Sequence, residues 1–169
     1  MEIGQLRASN RSRLAELLVA TGAFRGDEID VALSLFDFEM SQPASGGPAD
    51  YEFVGAFEDG QLAGYACFGP TPATEGTYDL YWLAVDPVFQ GRGIGRALVH
   101  AVEEKLIARD GRLLIVETSS RPDYGVTRQF YARSGYTEAA RVRDFYAPAD
   151  DRILLITRLT TRDGGAARR

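Results

Sequence analysis

Two near-continuous apolar runs, Leu80 to Val85 and Leu113 to Val116, constrain this chain more than any other feature. Runs without polar alternation belong to strands covered on both faces, a pattern typical of parallel pairing. Between them lie the string Gln90-Gly91-Arg92-Gly93-Ile94-Gly95-Arg96 and a segment whose apolar residues Ile94, Leu98, Ala101 and Val102 recur at i, i+4, i+7 and i+8. That spacing puts them on one face of a helix running to about Arg109. A strand, a helix and a second strand in one sheet form a right-handed crossover. The chain therefore predicts a parallel βαβ unit with glycines at its strand-to-helix turn.

Glycines at such a turn remove the β-carbons that would keep a ligand off the backbone, and the first helical turn has N–H groups without internal partners. This is an anion cradle suited to phosphates. A P-loop would need Lys-Ser or Lys-Thr after its last glycine, where this chain has Arg96-Ala97. A GxGxxG dinucleotide fingerprint fits poorly as well, because positions 96 and 98 hold Arg96 and Leu98.

The string does fit QxxGxG, with Gln90, Gly93 and Gly95 in the fixed places, after a strand ending Leu83-Ala84-Val85-Asp86-Pro87. Farther on, Phe130-Tyr131-Ala132-Arg133-Ser134-Gly135-Tyr136 fits FYxxxGY. In both strings, and in element order over roughly residues 50 to 160, the chain resembles the GNAT superfamily of acyl-CoA N-acyltransferases. Thr127 stands where that family commonly has alanine, a small departure.

The resemblance implies acetyl-CoA as co-substrate, its pyrophosphate held by backbone N–H groups from Gln90, Gly91, Arg92, Gly93, Ile94, Gly95 and Arg96. It implies that the strand carrying Leu83, Ala84 and Val85 splays from its neighbour, freeing N–H groups for the pantetheine arm and the acyl carbonyl. Thr118, just past the second apolar run, joins the same binding set. It also implies that Tyr131 lies near the coenzyme A sulfur as general acid. A phenol of pKa about 10 can protonate a departing thiolate of pKa about 8.5; as a residue type Tyr131 also suits a core position beside Phe130.

The attacking amine must be neutral, and two carboxylates could take its proton. Asp79 lies six residues before Val85, where several members of the superfamily keep a glutamate, and Glu117 ends the next strand. Both equally suit hydrogen-bonding anchors at strand ends. Tyr81, Tyr124, Asp144 and Tyr146 are expected around the acceptor, because aromatic faces with carboxylates favour a cation. Asp150 and Asp151 would add steering charge, and Trp82 reads as core. The expected reaction is direct attack of a small-molecule primary amine on acetyl-CoA; a protein N-terminus or lysine, and a non-catalytic acyl-CoA-binding module, are the rivals.

Other chemistries find little support. One histidine, His100, lies off the apolar helix face, and Ser119 and Ser120 have no histidine near them in sequence, which disfavours a Ser-His-Asp enzyme. The single Cys67 reads as a small core residue and allows no disulfide framework, and no residue cluster has metal-ligand spacing. A net charge of −5 speaks against nucleic acid. No basic-then-apolar leader and no apolar run of about 18 residues is present, so no membrane partner and a cytoplasmic location are expected. A homodimer would be common for the resembled family.

The 169 residues suit one domain, expected over 1–161 with a disordered tail at 162–169. Residues 2–7 read as a strand, Ser9 or Asn10 as a cap for a helix burying Leu14, Leu17 and Leu18, and Asp27 as the start of a second helix. Ser41 to Asp50 reads as a mobile loop. Tyr51 to Phe57 and Leu62 to Gly69 form a hairpin across Asp59-Gly60. Asp123 to Ser134 reads as a short helix, and Tyr136 to Ala147 with Arg152 to Thr160 as a last antiparallel pair. The fold class is α/β: a central mixed, mostly antiparallel sheet with one parallel βαβ pair, flanked by helices in the GNAT arrangement.

Overall fold

The structure is a computed structural model and describes residues 1–42 and 49–160. Most of the expected loop after Ser41 and the expected tail lie outside these residues. A seven-stranded sheet runs in the order β1-β2-β3-β4-β5-β7-β6. Its strands are β1 (Glu2–Gln5), β2 (Glu52–Glu58), β3 (Gln61–Pro70), β4 (Thr77–Val85), β5 (Leu113–Ser119), β6 (Thr137–Ala147) and β7 (Asp150–Arg158). The helices are α1 (Arg11–Thr21), α2 (Gly26–Ser41), α3 (Ile94–Ile107) and α4 (Gly125–Arg133).

Among the described residues only β4 and β5 pair in parallel, joined by α3 as the apolar runs predict, and the other neighbours are antiparallel. The β2–β3 hairpin turns on Asp59 and Gly60, both at positive φ (49° and 80°), the backbone that a two-residue turn with the native twist demands.

The sheet is covered on both faces. On one, α3 buries Ile94, Leu98 and Val102 against Leu114 and Val116, with Val99 and Leu106 buried beyond the expected set and Ala101 only partly so. Each such side chain contributes about 2 kcal/mol on leaving water. On the other face Leu14, Leu17 and Leu18 of α1 and Phe36 of α2 pack on Phe53, Tyr65 and Cys67. Cys67 is thus the core residue its sequence context suggests.

Three local expectations need correction. Asn10 does not cap α1 with its side chain; its Oδ1 accepts from the Arg7 N–H at 2.8 Å and closes a 3-10 turn over Ala8–Asn10 instead. Glu117 does not end β5, because pairing with β7 continues through Thr118 and Ser119. Asp123 sits in a 3-10 turn, Pro122–Tyr124, and α4 starts only at Gly125.

Candidate active site

Gly91 and Gly93 have φ of 75° and 81°, and Gly93 is the N-cap of α3. A side chain at either would be strained, so the glycines allow the chain to turn sharply from β4 into the helix. Gly95 serves differently. It lies inside the first turn of α3, where a Cβ would come within 3.4 Å of the Phe130 ring. Gln90, Gly91, Arg92, Gly93 and Arg96 are exposed or partly so, whereas the Ile94 side chain is buried and only its backbone faces the turn. The Gln90 Nε2 donates to the Val85 carbonyl at 3.2 Å, and Arg92 lies over the Phe89 ring, 5.4 Å from its centroid.

A carboxylate holds this turn from below. Asp86, just past β4, accepts from the Val88 N–H at 2.9 Å and from the Arg13 guanidinium, which also donates to the Leu62 carbonyl at 3.1 Å. Burial works against the charged form, but the Val88 N–H and Arg13 outweigh it and hold the Asp86 carboxyl below its ordinary pKa. Helix α1 is thereby tied to the start of the glycine turn.

The register explains how β4 becomes accessible. It pairs with β5 from Thr77↔Leu113 to Leu80↔Val116 and no farther. At this point its pairing with β3 skips Tyr81, as Cys67 faces Trp82 while Phe68 faces Leu80. A bulge adds twist and re-aims the strand. Beyond it, the Asp86 N–H donates to the Ala63 carbonyl at 2.9 Å. By strand alternation the N–H groups of Trp82 and Ala84 face β3, and those of Leu83 and Val85 face the side that β5 has left. Ala84 therefore offers this side no N–H, in contrast to the set of three expected from sequence. Across the gap, the buried Thr118 Oγ1 has no hydrogen-bond partner among the described residues. A buried hydroxyl without a partner and two freed N–H groups suit the amide-rich pantetheine arm.

On the face of the sheet away from α3, a cavity of about 560 Å³ reaches this gap. Asp79, Tyr81, Glu117, Tyr124 and Tyr146 all line it, and Trp82 contributes although it also packs on the core. Asp79 accepts from the Thr71 hydroxyl at 2.6 Å. Glu117 is more heavily engaged, accepting from the Tyr146 hydroxyl and from Arg152 Nη2, each at 2.5 Å. Burial, then Asp79, pushes the Tyr81 phenol up to about 12.

Asp144 does not line the cavity. Its φ is 51°, its carboxylate accepts from the Ala149 N–H at 2.6 Å, and it shapes the β6–β7 connection. Asp151 is bound to Arg141 at 3.0 Å. Asp150 does face the cavity, accepting from the Ser119 hydroxyl.

The expected acid-lined pocket is in fact charge-mixed, because Arg25, Arg121 and Arg152 line it together with Glu28, Asp79, Glu117 and Asp150. Sequence reading missed these arginines. Arg152 reaches the site because β7, rather than β6, lies next to β5 and pairs Arg152 with Ser119. No local pattern encodes that choice of neighbour.

Tyr131 lies on α4, buried against Phe130 and Tyr136 with ring centroids 5.1 and 5.3 Å away. Burial raises its pKa and keeps the phenol protonated. It lies on the α3 side of the sheet, across from the cavity, so a group bridging Tyr131 and the cavity would pass between β4 and β5. His100 is half-exposed beside Glu104 at 3.5 Å and belongs to no such group. Among the described residues no set of His, Cys, Asp and Glu is arranged to hold a metal, and no helix is long and apolar enough to cross a membrane.

Comparison with known proteins agrees with this fold. Residues 16–136 match the acetyltransferase (GNAT) family. The chain is 32% identical over 147 residues to the N-alpha-acetyltransferase RimI of Mycobacterium tuberculosis, covering 85% of this chain and 83% of that one. A crystal structure of a protein from Desulfovibrio desulfuricans assigned to the GNAT family superposes with a TM-score of 0.86 at 40% identity, over 94% of this chain and 99% of the other. An aminoglycoside 6'-N-acetyltransferase crystallised with coenzyme A shares the fold, with a TM-score of 0.74 at 16% identity over 97% and 100% of the two chains. The chain belongs to the GNAT family of acetyl-CoA-dependent N-acetyltransferases.

Proposed function

We propose that the protein acetylates the primary amine of a small molecule by direct attack on acetyl-CoA. The observation that carries this reading is the cavity of about 560 Å³ opening where β4 leaves β5, with Asp79 and Glu117 among the carboxylates of its wall. Its volume falls within the ~300–1,000 Å³ of small-molecule sites.

In the reaction the amine nitrogen bonds to the thioester carbonyl carbon as the C=O electrons move to oxygen. The freed Leu83 N–H holds that oxyanion, and the Val85 N–H holds the pantetheine arm. The nitrogen's proton passes to Asp79, directly or through one water, since Glu117 is committed to Arg152 and Tyr146. When the intermediate collapses, the C–S bond breaks and the Tyr131 phenol supplies the proton to sulfur.

A second reading, acetylation of a protein N-terminus, is favoured by the 32% identity to an N-alpha-acetyltransferase. Initial rates of thiol release with saturating acetyl-CoA separate the two. Small primary amines are expected to exceed peptides with free N-termini at least tenfold in kcat/KM, and the reverse order would replace this proposal by the second reading.

A further inference from the structure

The cavity holds more cationic side chains than an acceptor with only an ammonium group can use. Arg121 and Arg25 stand on the loops before α4 and α2, and both line the cavity beside Tyr124. Each is held by a carboxylate two residues on: Arg121 by Asp123 at 2.8 Å, Arg25 by Asp27 at 3.1 Å. These pairs are largely exposed, and such pairs contribute little, so either guanidinium can turn to a ligand at small cost. Arg152 stands deeper, on β7, its guanidinium carbon 5.0 Å from the Phe145 ring centroid. Its Nη2 binds Glu117, but its Nε is buried and finds no acceptor among the described residues. Its planar fork therefore carries an unused donor beside a carboxylate already bound.

We propose that the acceptor carries a carboxylate as well as its primary amine, with the amine against Asp79 and the carboxylate taken by Arg152 and Arg121. This rests on the small-molecule reading above and specifies its substrate class. A purely cationic acceptor would engage only the carboxylates of this charge-mixed lining, whereas an amino carboxylate matches both signs. A guanidinium is also the side chain best shaped to bind a carboxylate through two hydrogen bonds.

The test compares ω-amino carboxylates of two to six carbons with the alkylamines and diamines of equal length, by thiol release at saturating acetyl-CoA. At least one amino carboxylate is expected to exceed its alkylamine tenfold in kcat/KM. In Arg121→Gln, an exposed change that does not threaten folding, and in Arg152→Lys, this ratio is expected to fall at least fivefold, through KM for the carboxylate. Turnover of alkylamines or diamines in preference to every amino carboxylate would overturn the inference while leaving the small-molecule reading in place. An unchanged ratio in both variants would overturn the assignment to these arginines. Turnover confined to peptide N-termini would remove the small-molecule reading, and this inference with it.

Discussion

Leu80 lies opposite Val116, and theirs is the last register pair between β4 and β5. Up to that pair the two strands form an ordinary parallel ladder; past it, Leu83 and Val85 have N–H groups with no strand to receive them. The cavity reaches the gap from one face of the sheet and Tyr131 is buried on the other. A thioester lying between the strands would meet an amine from the cavity and a phenol from α4.

The glycine turn should hold coenzyme A by backbone rather than by side chain. Gly93→Val places a β-branched residue at φ 81°, at a cost of ~1–3 kcal/mol in strain, and it covers the N–H groups. Gly95→Val drives a side chain toward the Phe130 ring. Both should weaken acetyl-CoA binding at least tenfold by calorimetry, and more than Arg92→Ala does. Wild-type affinity in Gly95→Val would mean that the phosphates bind elsewhere.

Tyr131→Phe should lower kcat by ~10²-fold with little change in KM for acetyl-CoA, because proton donation to a leaving thiolate works in the transition state. Burial keeps this phenol protonated across the working pH range, so its own ionisation should leave no limb in the rate profile below pH 10. A change in kcat under threefold, with chemistry rate-limiting, would remove Tyr131 from the role of acid.

Asp79→Asn should make the rate track the free-amine fraction, moving the alkaline rise toward the amine's own pKa, about 10 for an alkylamine. Glu117→Gln should move it less, since that carboxylate is bound by Arg152 and Tyr146. Profiles of kcat/KM against pH for the two variants distinguish a proton acceptor from a wall residue, and an unshifted rise in Asp79→Asn would exclude Asp79.

Asp86 and Arg13 are 7% and 22% exposed, so Asp86→Asn leaves a largely buried guanidinium with only the exposed Glu16, 3.4 Å away, as counter-charge, at a cost of the order of 3 kcal/mol. For a chain of this size that is a fall in Tm of roughly 6–12 °C. The folded Asp86 carboxyl is held below its ordinary pKa. Its contribution is therefore complete above about pH 4, the unfolded value, and is lost as pH falls through the folded one. Thermal melts from pH 6 down to pH 2 should show this acid loss in the wild type and a smaller one in Asp86→Asn.

Much of this was legible in the sequence, for reasons that differ between elements. The parallel pair and α3 follow from apolar runs and helical spacing, which are local signals, and the turn follows from glycines whose positive φ requires them. Asp79 and Glu117, expected as proton acceptors on the two apolar strands, and Tyr81, Tyr124 and Tyr146, expected from their aromatic faces, all line the cavity. Arg152 was not, because its position depends on β7 entering the sheet between β5 and β6, a long-range pairing with no local pattern. Asp144 misled for a related reason: an acidic residue near a hairpin end can face a ligand or, as here, accept from the Ala149 N–H and shape the turn. The same applies to Ala84, where a one-residue difference in strand alternation decides which side an N–H faces.

The central claim, that the thioester lies between β4 and β5 with its phosphates on the glycine turn, is tested most directly by a crystal structure with coenzyme A. The account predicts pyrophosphate oxygens within hydrogen-bond distance of N–H groups between Gly91 and Arg96, pantetheine amides on the N–H groups of Leu83 or Val85, and the sulfur within reach of the Tyr131 hydroxyl. A sulfur outside the gap beyond Leu80 and Val116, or phosphates away from the turn, would contradict it.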